Sequence, residues 1–253
     1  MKHLRQSLVI SSVLVSFLTL LSTAAYASTD CKGLPSQQQV QGSLEKMVES
    51  GNGGIFKPNA MWAAVVNRAG EICVIAKTGD AWPGSRVIAA QKASTANSFS
   101  NERLSLSTAN IYSAVQPGGS LYGLQHSNPL NPVVLYKGDA KKFGTAKDPM
   151  KGERPGGVNV FGGGLALYDK DGKTVLGGLG VSGDSSCANH NIAWRMRDSL
   201  GFIRVPGGVS GTKDDNIVYD IDAAGKSASG FGHPVCSPEA TEMAKNFKAA
   251  HAG

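Results

Sequence analysis

The chain has 253 residues and a formal net charge of +6. An N-terminal segment carrying Lys2 and Arg5 accounts for two of these charges, and the remaining +4, with no dense Lys/Arg run interleaved with aromatic residues, does not point to nucleic acid as a partner. The 226 residues after position 27 suffice for one domain with a substantial core, or at most one and a half.

Residues 1–27 read as a cleaved secretory signal: a basic start, an apolar run from Leu8 to Leu21, and Ala25-Tyr26-Ala27 at the end. The apolar run has 14 residues, short of the roughly 20 that span a bilayer. No other segment is apolar enough to span. The expected mature protein is therefore soluble, periplasmic or secreted, and runs from about Ser28 over residues 28–253 as one domain with a C-terminal extension.

Ser36 to Ser50 has the spacing of an amphipathic helix, with Val40, Leu44, Met47 and Val48 on one stripe and a capping box from Ser36 to Gln39. Met61–Val66 and Glu71–Lys77 form a hairpin across Asn67-Arg68-Ala69-Gly70. Both strands are apolar at nearly every position, which predicts a central place covered on both faces. Pro83-Gly84-Ser85 starts a second helix that ends at Phe99, with Ala89, Ala93 and Ala96 inward. Gln116 to Gly157 is broken by prolines and glycines, with one short strand expected at Val133–Tyr136. A segment this long inside a compact domain reads as a binding loop or lid, and it holds His126.

Gly164–Tyr168 is a strand, Asp169-Lys170-Asp171-Gly172 a tight turn, and the next strand ends in Gly180-Val181-Ser182-Gly183-Asp184. A helix follows from near Ser186. The glycines at 177, 178, 180 and 183 predict a binding site more than plain core, because backbone or ligand can approach where side chains would clash. Hairpin, Gly-Asp, helix thus occurs twice, ending at Gly79-Asp80 and at Gly183-Asp184, as in an internal repeat. After Phe202 the chain is rich in Gly and Ser, with a strand expected at Ile217–Ile221 and a last helix opening at Ser237-Pro238-Glu239.

Three familiar motifs fail. Gly178 to Gly183 matches Gly-x-Gly-x-x-Gly, but its strand closes an antiparallel hairpin and too little chain follows for a dinucleotide fold. Asp184 stands where a nucleophile elbow needs glycine. The Asp169 turn has its glycine too early for a calcium loop, and no glutamate closes it. No Ser-His-Asp, paired-carboxylate or zinc set assembles by spacing.

The run Gly180 to Asp184, with Ser185-Ser186, Cys187-Ala188-Asn189-His190 and Asn191-Ile192-Ala193-Trp194-Arg195, resembles the C-terminal signature of the small haem-binding proteins of the GlcG/HbpS type. Trp62 to Ala76 resembles that family's first hairpin, and Ser85 to Phe99 its Lys-Ala-x-Thr-Ala helix. The three blocks come in the right order between Met61 and Phe202. Two departures stand out: the helix after Asp184 opens with Cys187-Ala188-Asn189-His190 in place of acidic residues, and the segment before it is longer. The resemblance implies a profilin-like α/β (α+β) domain, with helices on a central, mainly antiparallel sheet. It also implies a homo-oligomer and haem or a related tetrapyrrole as small-molecule ligand, for sequestration or sensing without a chemical step. An enzyme acting on a small organic acid or oxidised cofactor, and a purely structural oligomerisation module, are the alternatives.

Lys92 and Thr95 occupy the family's Lys-x-x-Thr positions; taken singly, Lys92 reads as snorkelling to water and Thr95 as packing. On the helical wheel His190 projects away from Ala188, Ile192, Met196 and Leu200, which makes it a pocket or surface residue rather than a core histidine. The helix dipole keeps it neutral and open to iron or a hydrogen bond. The ligand site is expected where the Gly180–Asp184 loop, with Ser182, Gly183 and Asp184, meets the start of the following helix and the Leu121–Asn128 loop. Lys92 lies nearby, and His190 or His126 is expected on the iron.

An even count of four cysteines in an exported chain predicts two disulfides. Of three connectivities the chain path favours Cys31–Cys73, brought together by the first helix and the returning hairpin. It also favours Cys187–Cys236, since the Gly/Ser-rich stretch can carry Cys236 back to the helix that Cys187 opens.

Overall fold

The computed structural model describes residues 30–56 and 59–250, so the signal expected over 1–27 lies outside the described residues. The first helix, α1, spans Gln37–Glu49 and opens on the predicted capping box: Ser36 accepts from the Gln39 amide while Gln39 accepts from the Ser36 amide. Strands β1 (Trp62–Asn67) and β2 (Ile72–Lys77) form the first hairpin, and Asn67 shapes its turn by accepting from the amides of Ala69 and Glu71. Helix α2 (Pro83–Phe99) starts on its proline, whose missing N–H costs nothing in a first turn.

The second hairpin is β3 (Gly164–Tyr168) and β4 (Val175–Ser182), followed by α5 (Ser186–Ser199). Between α2 and β3 lie only two short helices, α3 (Leu124–Ser127) and α4 (Pro132–Tyr136), and some 3-10 turns. The strand predicted at Val133–Tyr136 is therefore a helix. Asn131 caps the Val133 amide and Pro132 presets the first turn, and these local signals outweigh the β-branched valines. The last helix, α6, spans Pro238–Lys245. No strand forms at Ile217–Ile221; only Ile221 pairs, as an isolated bridge to Ser227, because this stretch runs across α5 and not along the sheet.

The strands form one antiparallel sheet in the order β2-β1-β4-β3. Helices α1 and α5 cover one face through Val40, Leu44, Ile192 and Met196, and α2 covers the other through Val87, Ala89 and Ala93. The result is a single α+β domain of three layers. The two hairpin–helix units are not copies, since α2 and α5 lie on opposite faces. Strand β2 is an edge, not a central strand, yet it is buried. The long loop after α4 pairs with it through Ile72 and residues 152–153, and α1 reaches it with Gln37 and Gln41. That loop is anchored by a buried ion pair, Arg86 to Asp148 (Nε to Oδ2 3.0 Å).

The glycines of β4 serve packing. A Cβ on Gly180 would lie 1.9 Å from the carbonyl oxygen of Ala89, and one on Gly178 would lie 2.2 Å from that of Ala93. Helix α2 therefore rests directly on β4, and the reading of this run as ligand access gives way to core. Both predicted disulfides form, Cys31–Cys73 and Cys187–Cys236. Among the described residues no helix is long and apolar enough to cross a membrane.

Candidate functional site

Strands β2 and β4 flank β1 and run the same way, so both leave the sheet at one end, where β1 begins. The two Gly-Asp exits foreseen in the sequence meet there. Trp62 pairs with Lys77 on one side and Ser182 on the other. Met61 exchanges hydrogen bonds with Thr78, its amide donating to Oγ1 at 3.1 Å. Gly183 passes so close to this start that a Cβ would lie 2.4 Å from the carbonyl oxygen of Ala60. A cleft of about 660 Å³ opens at this point, lined by Phe56, Ala60, Asp80, Ala81, Trp82, Pro83 and Gly183. Phe56 and Trp82 are 69% and 67% exposed.

The chain holds these walls firmly. The Asp184 carboxylate accepts from the amides of Ile55 (2.8 Å), Phe56 (3.0 Å) and Ser185 (2.5 Å), which fixes the loop carrying Phe56. Asn189 clasps the Asp184 backbone from both sides. The Trp82 carbonyl accepts from the Trp62 indole at 2.9 Å, so its backbone is fixed independently of its ring. Of the predicted site residues, Gly183 lines the cleft, Asp184 builds its wall, and Ser182 is a buried strand end.

The other predicted residues lie elsewhere. Lys92 does not snorkel: it is buried, its Nζ donates to the Val181 carbonyl at 3.0 Å, and burial pulls its pKa down to about 7. His190 is a core histidine, contrary to the helical-wheel reading. Its Nε2 lies 3.2 Å from both Asn216 Oδ1 and the Ile217 amide, and its Nδ1 has no partner among the described residues. Burial drives it to about 4, so it is neutral. The wheel failed because residues 214–217 cover the face of α5 that was expected to be open. Their sequence held one hint, the adjacent acids Asp214-Asp215 opposite Arg197. His126 is exposed on α3. Leu121 and Leu124 pack with Ile111, Val115, Val158 and Val160, so the Leu121–Asn128 loop does not reach the cleft lining. The expected three-way meeting of loops is replaced by the meeting of two strand exits and the start of α2.

Sequence reasoning missed a second polar centre. Ser186 Oγ lies 2.7 Å from His233 Nε2 and accepts from the Gly162 amide, while His233 Nδ1 lies 2.7 Å from the Pro234 carbonyl. The carbonyl fixes the proton on Nδ1, so Nε2 accepts from the serine. With no carboxylate on the ring and burial pushing His233 to about 4, the pair is a tie between α5 and the extension and not an activated nucleophile.

Residues 57–197 match the family described as haem degrading protein, HbpS-like. The chain belongs to the HbpS-like family. Similar solved structures include protein ORFY of Klebsiella pneumoniae, 28% identical over 64% of this chain and 86% of that one, with a TM-score of 0.44. The PduOC haem complex is 23% identical over 64% and 89% (TM-score 0.45), and HbpS is 17% identical over 65% and 86% (TM-score 0.42). No curated protein matches the chain.

The HbpS-like region separates the cleft from a larger groove of about 1090 Å³ between α1, α5 and α6, floored by Met47, Trp194, Met243 and Phe247. Of that groove's lining only Trp194 and Arg195 fall within residues 57–197, whereas every cleft residue but Phe56 does. The cleft is the candidate site that belongs to the family's part of the chain.

Proposed function

We propose that the protein binds haem or a related tetrapyrrole after export, for sequestration or sensing, in the cleft at the Gly183 end of the sheet. The observation that carries this reading is that two exposed aromatic side chains, Phe56 and Trp82, line one cleft in an HbpS-like chain. Flat apolar side chains beside a glycine floor suit a flat apolar ligand, which removes their surface from water.

The residues present fit the macrocycle better than the iron. Among the described residues the cleft lining holds no histidine, cysteine, methionine or tyrosine, the usual protein ligands of haem iron, and His190 and His126 stand outside it. Binding through the macrocycle faces is therefore the expected mode.

Titration of the mature protein with haem and with the metal-free porphyrin tests this. Both should bind within a few-fold of each other, and His190→Ala and His126→Ala should leave the haem spectrum unchanged. Haem binding that far exceeds porphyrin binding and vanishes in one histidine variant would overturn the face-bound mode. Loss of Soret absorbance under a reductant and oxygen would replace sequestration with degradation, the activity in the family's description. The family's expected homo-oligomer is read from the native mass of the same sample.

A further inference from the structure

The two disulfides differ in their surroundings. Around Cys31–Cys73, the neighbour of the Cys73 sulfur is a backbone carbonyl, that of Glu71 at 3.8 Å. Cys187–Cys236 lies beside His233. The Cys187 sulfur is 4.0 Å from His233 Nδ1 and 3.5 Å from the Pro234 carbonyl, and both sulfurs and a ring nitrogen lie within 4.8 Å of one another. The Cys187 amide points at the Cys236 sulfur at 3.2 Å, a donor that favours a thiolate there.

The geometry points to a latent metal site: once the Cys187–Cys236 bond is reduced, Cys187, Cys236 and His233 bind a borderline-soft cation of the zinc type. Two thiolates and an imidazole are the donor set such a cation selects. Tetrahedral coordination needs the sulfurs to part to about 3.8 Å, from Zn–S bonds of about 2.3 Å. Side-chain rotation supplies this at a Cα separation of 5.9 Å.

The ligands stay assembled without the disulfide. Asn191 donates to the carbonyls of Asn52 and Ala240, Ser237 donates to Gly53, Asn216 donates to Ala244, and Arg197 pairs with Asp215. The Asn191–Ala240 and Arg197–Asp215 bonds dock the C-terminal segment on α5, and Ser237 ties it to the loop after α1, all independently of the cross-link. A second set of partners is already placed. When Nδ1 takes the cation, the ring proton moves to Nε2, where Ser186 Oγ accepts it at the existing 2.7 Å. The Pro234 carbonyl, which now faces Nδ1 at 2.7 Å, turns aside to admit the cation, and water completes the coordination.

The chemistry balances with a dithiol as reductant. Thiol–disulfide exchange passes its two S–H hydrogens to the cysteine sulfurs while its own sulfurs join. Cation binding then releases both thiol protons to water. Access is from the half-exposed edge of residues 234–237.

The test uses the full mature chain, reduced and freed of reductant, then titrated with Co2+ and back-titrated with Zn2+. The expected result is one Co2+ per chain with an intense thiolate-to-cobalt absorption, displaced by Zn2+ and absent from the oxidised protein. His233→Ala should weaken uptake at least about tenfold. Cys187→Ser with Cys236→Ser should abolish it, and Cys31→Ser with Cys73→Ser should leave it intact. Far-UV circular dichroism of the reduced, metal-free chain should stay native. Loss of that spectrum, uptake below one equivalent, or equal affinity in His233→Ala and the parent would each overturn the proposal.

Discussion

Arg197 and Asp215 meet as a two-pronged ion pair, Nη1 to Oδ2 and Nη2 to Oδ1 both at 2.6 Å, and neither side chain touches solvent. Burial alone would raise the Asp215 carboxyl, but the guanidinium and the Ser105 hydroxyl override it and hold it below the usual carboxylate range. The pair fixes the extension to α5, and the Arg197 guanidinium also stacks on the Trp194 ring at 4.7 Å. Arg197→Met should cost about 3–5 kcal/mol because it strands a buried carboxylate, and adding Asp215→Asn should recover part of that loss. Urea midpoints of the single and double variants measure this. A single variant within about 1 kcal/mol of the parent would mean that the pair is not what holds the extension.

The buried titratable groups set a pH dependence of definite sign. Burial lowers His190 and His233 to about 4 from 6.5. Between those values the unfolded chain binds more protons than the folded one. The histidine contribution to stability is therefore fully present above pH 6.5 and declines toward pH 4, by about 1.4 kcal/mol per pH unit for each histidine. Lys92 works in another window. Its folded pKa is about 7 against 10.5, so stability rises with pH from 7 toward 10.5. Lys92→Met should flatten that rise, as read from denaturant midpoints at pH 7 and 9.5. An unchanged slope in the variant would place its cause in other groups.

Glycine substitutions on two elements should act in opposite directions. Gly180→Ala puts a methyl 1.9 Å from the Ala89 backbone and should cost 1–3 kcal/mol or more, by about the usual scale for overpacking. Gly42, exposed within α1, has nothing within 4 Å of a Cβ. Gly42→Ala should stabilise by about 0.5–1 kcal/mol. Thermal midpoints of the two variants should move apart; a Gly180→Ala midpoint that does not fall would contradict the packing described for β4.

The elements that sequence reading placed well are those with local signatures. The Ser36–Gln39 capping box, both hairpins with their Asn67 and Asp169 turns, and the starts at Pro83 and Pro238 are set by residues a few positions apart. The Cys31–Cys73 bridge followed from the path of a helix and its returning strand. What was illegible depends on distant chain. His190 looked open because nothing near it in sequence shows that residues 214–217 will cover it, and the β4 glycines looked like a ligand loop until α2 lay against them. The sequence singled out Gly183 and Asp184, which the fold puts at the cleft, but not the aromatic pair beside them. Phe56 and Trp82 are far apart in sequence and are joined only when β2 and β4 leave the sheet at the same end.

The most direct test of the proposed ligand site is the haem affinity of Trp82→Ala and Phe56→Ala beside the parent protein, by equilibrium Soret titration. Neither side chain supports the fold: both are exposed, and the Trp62 indole bonds the Trp82 carbonyl, which alanine retains. Each variant should keep its thermal midpoint and bind haem about tenfold more weakly, the equivalent of about 1.4 kcal/mol of lost apolar contact. Parent-like affinity in both, with a Soret shift that instead disappears on Met243→Ala or Phe247→Ala in the α1–α5–α6 groove, would contradict the assignment to the Gly183 cleft.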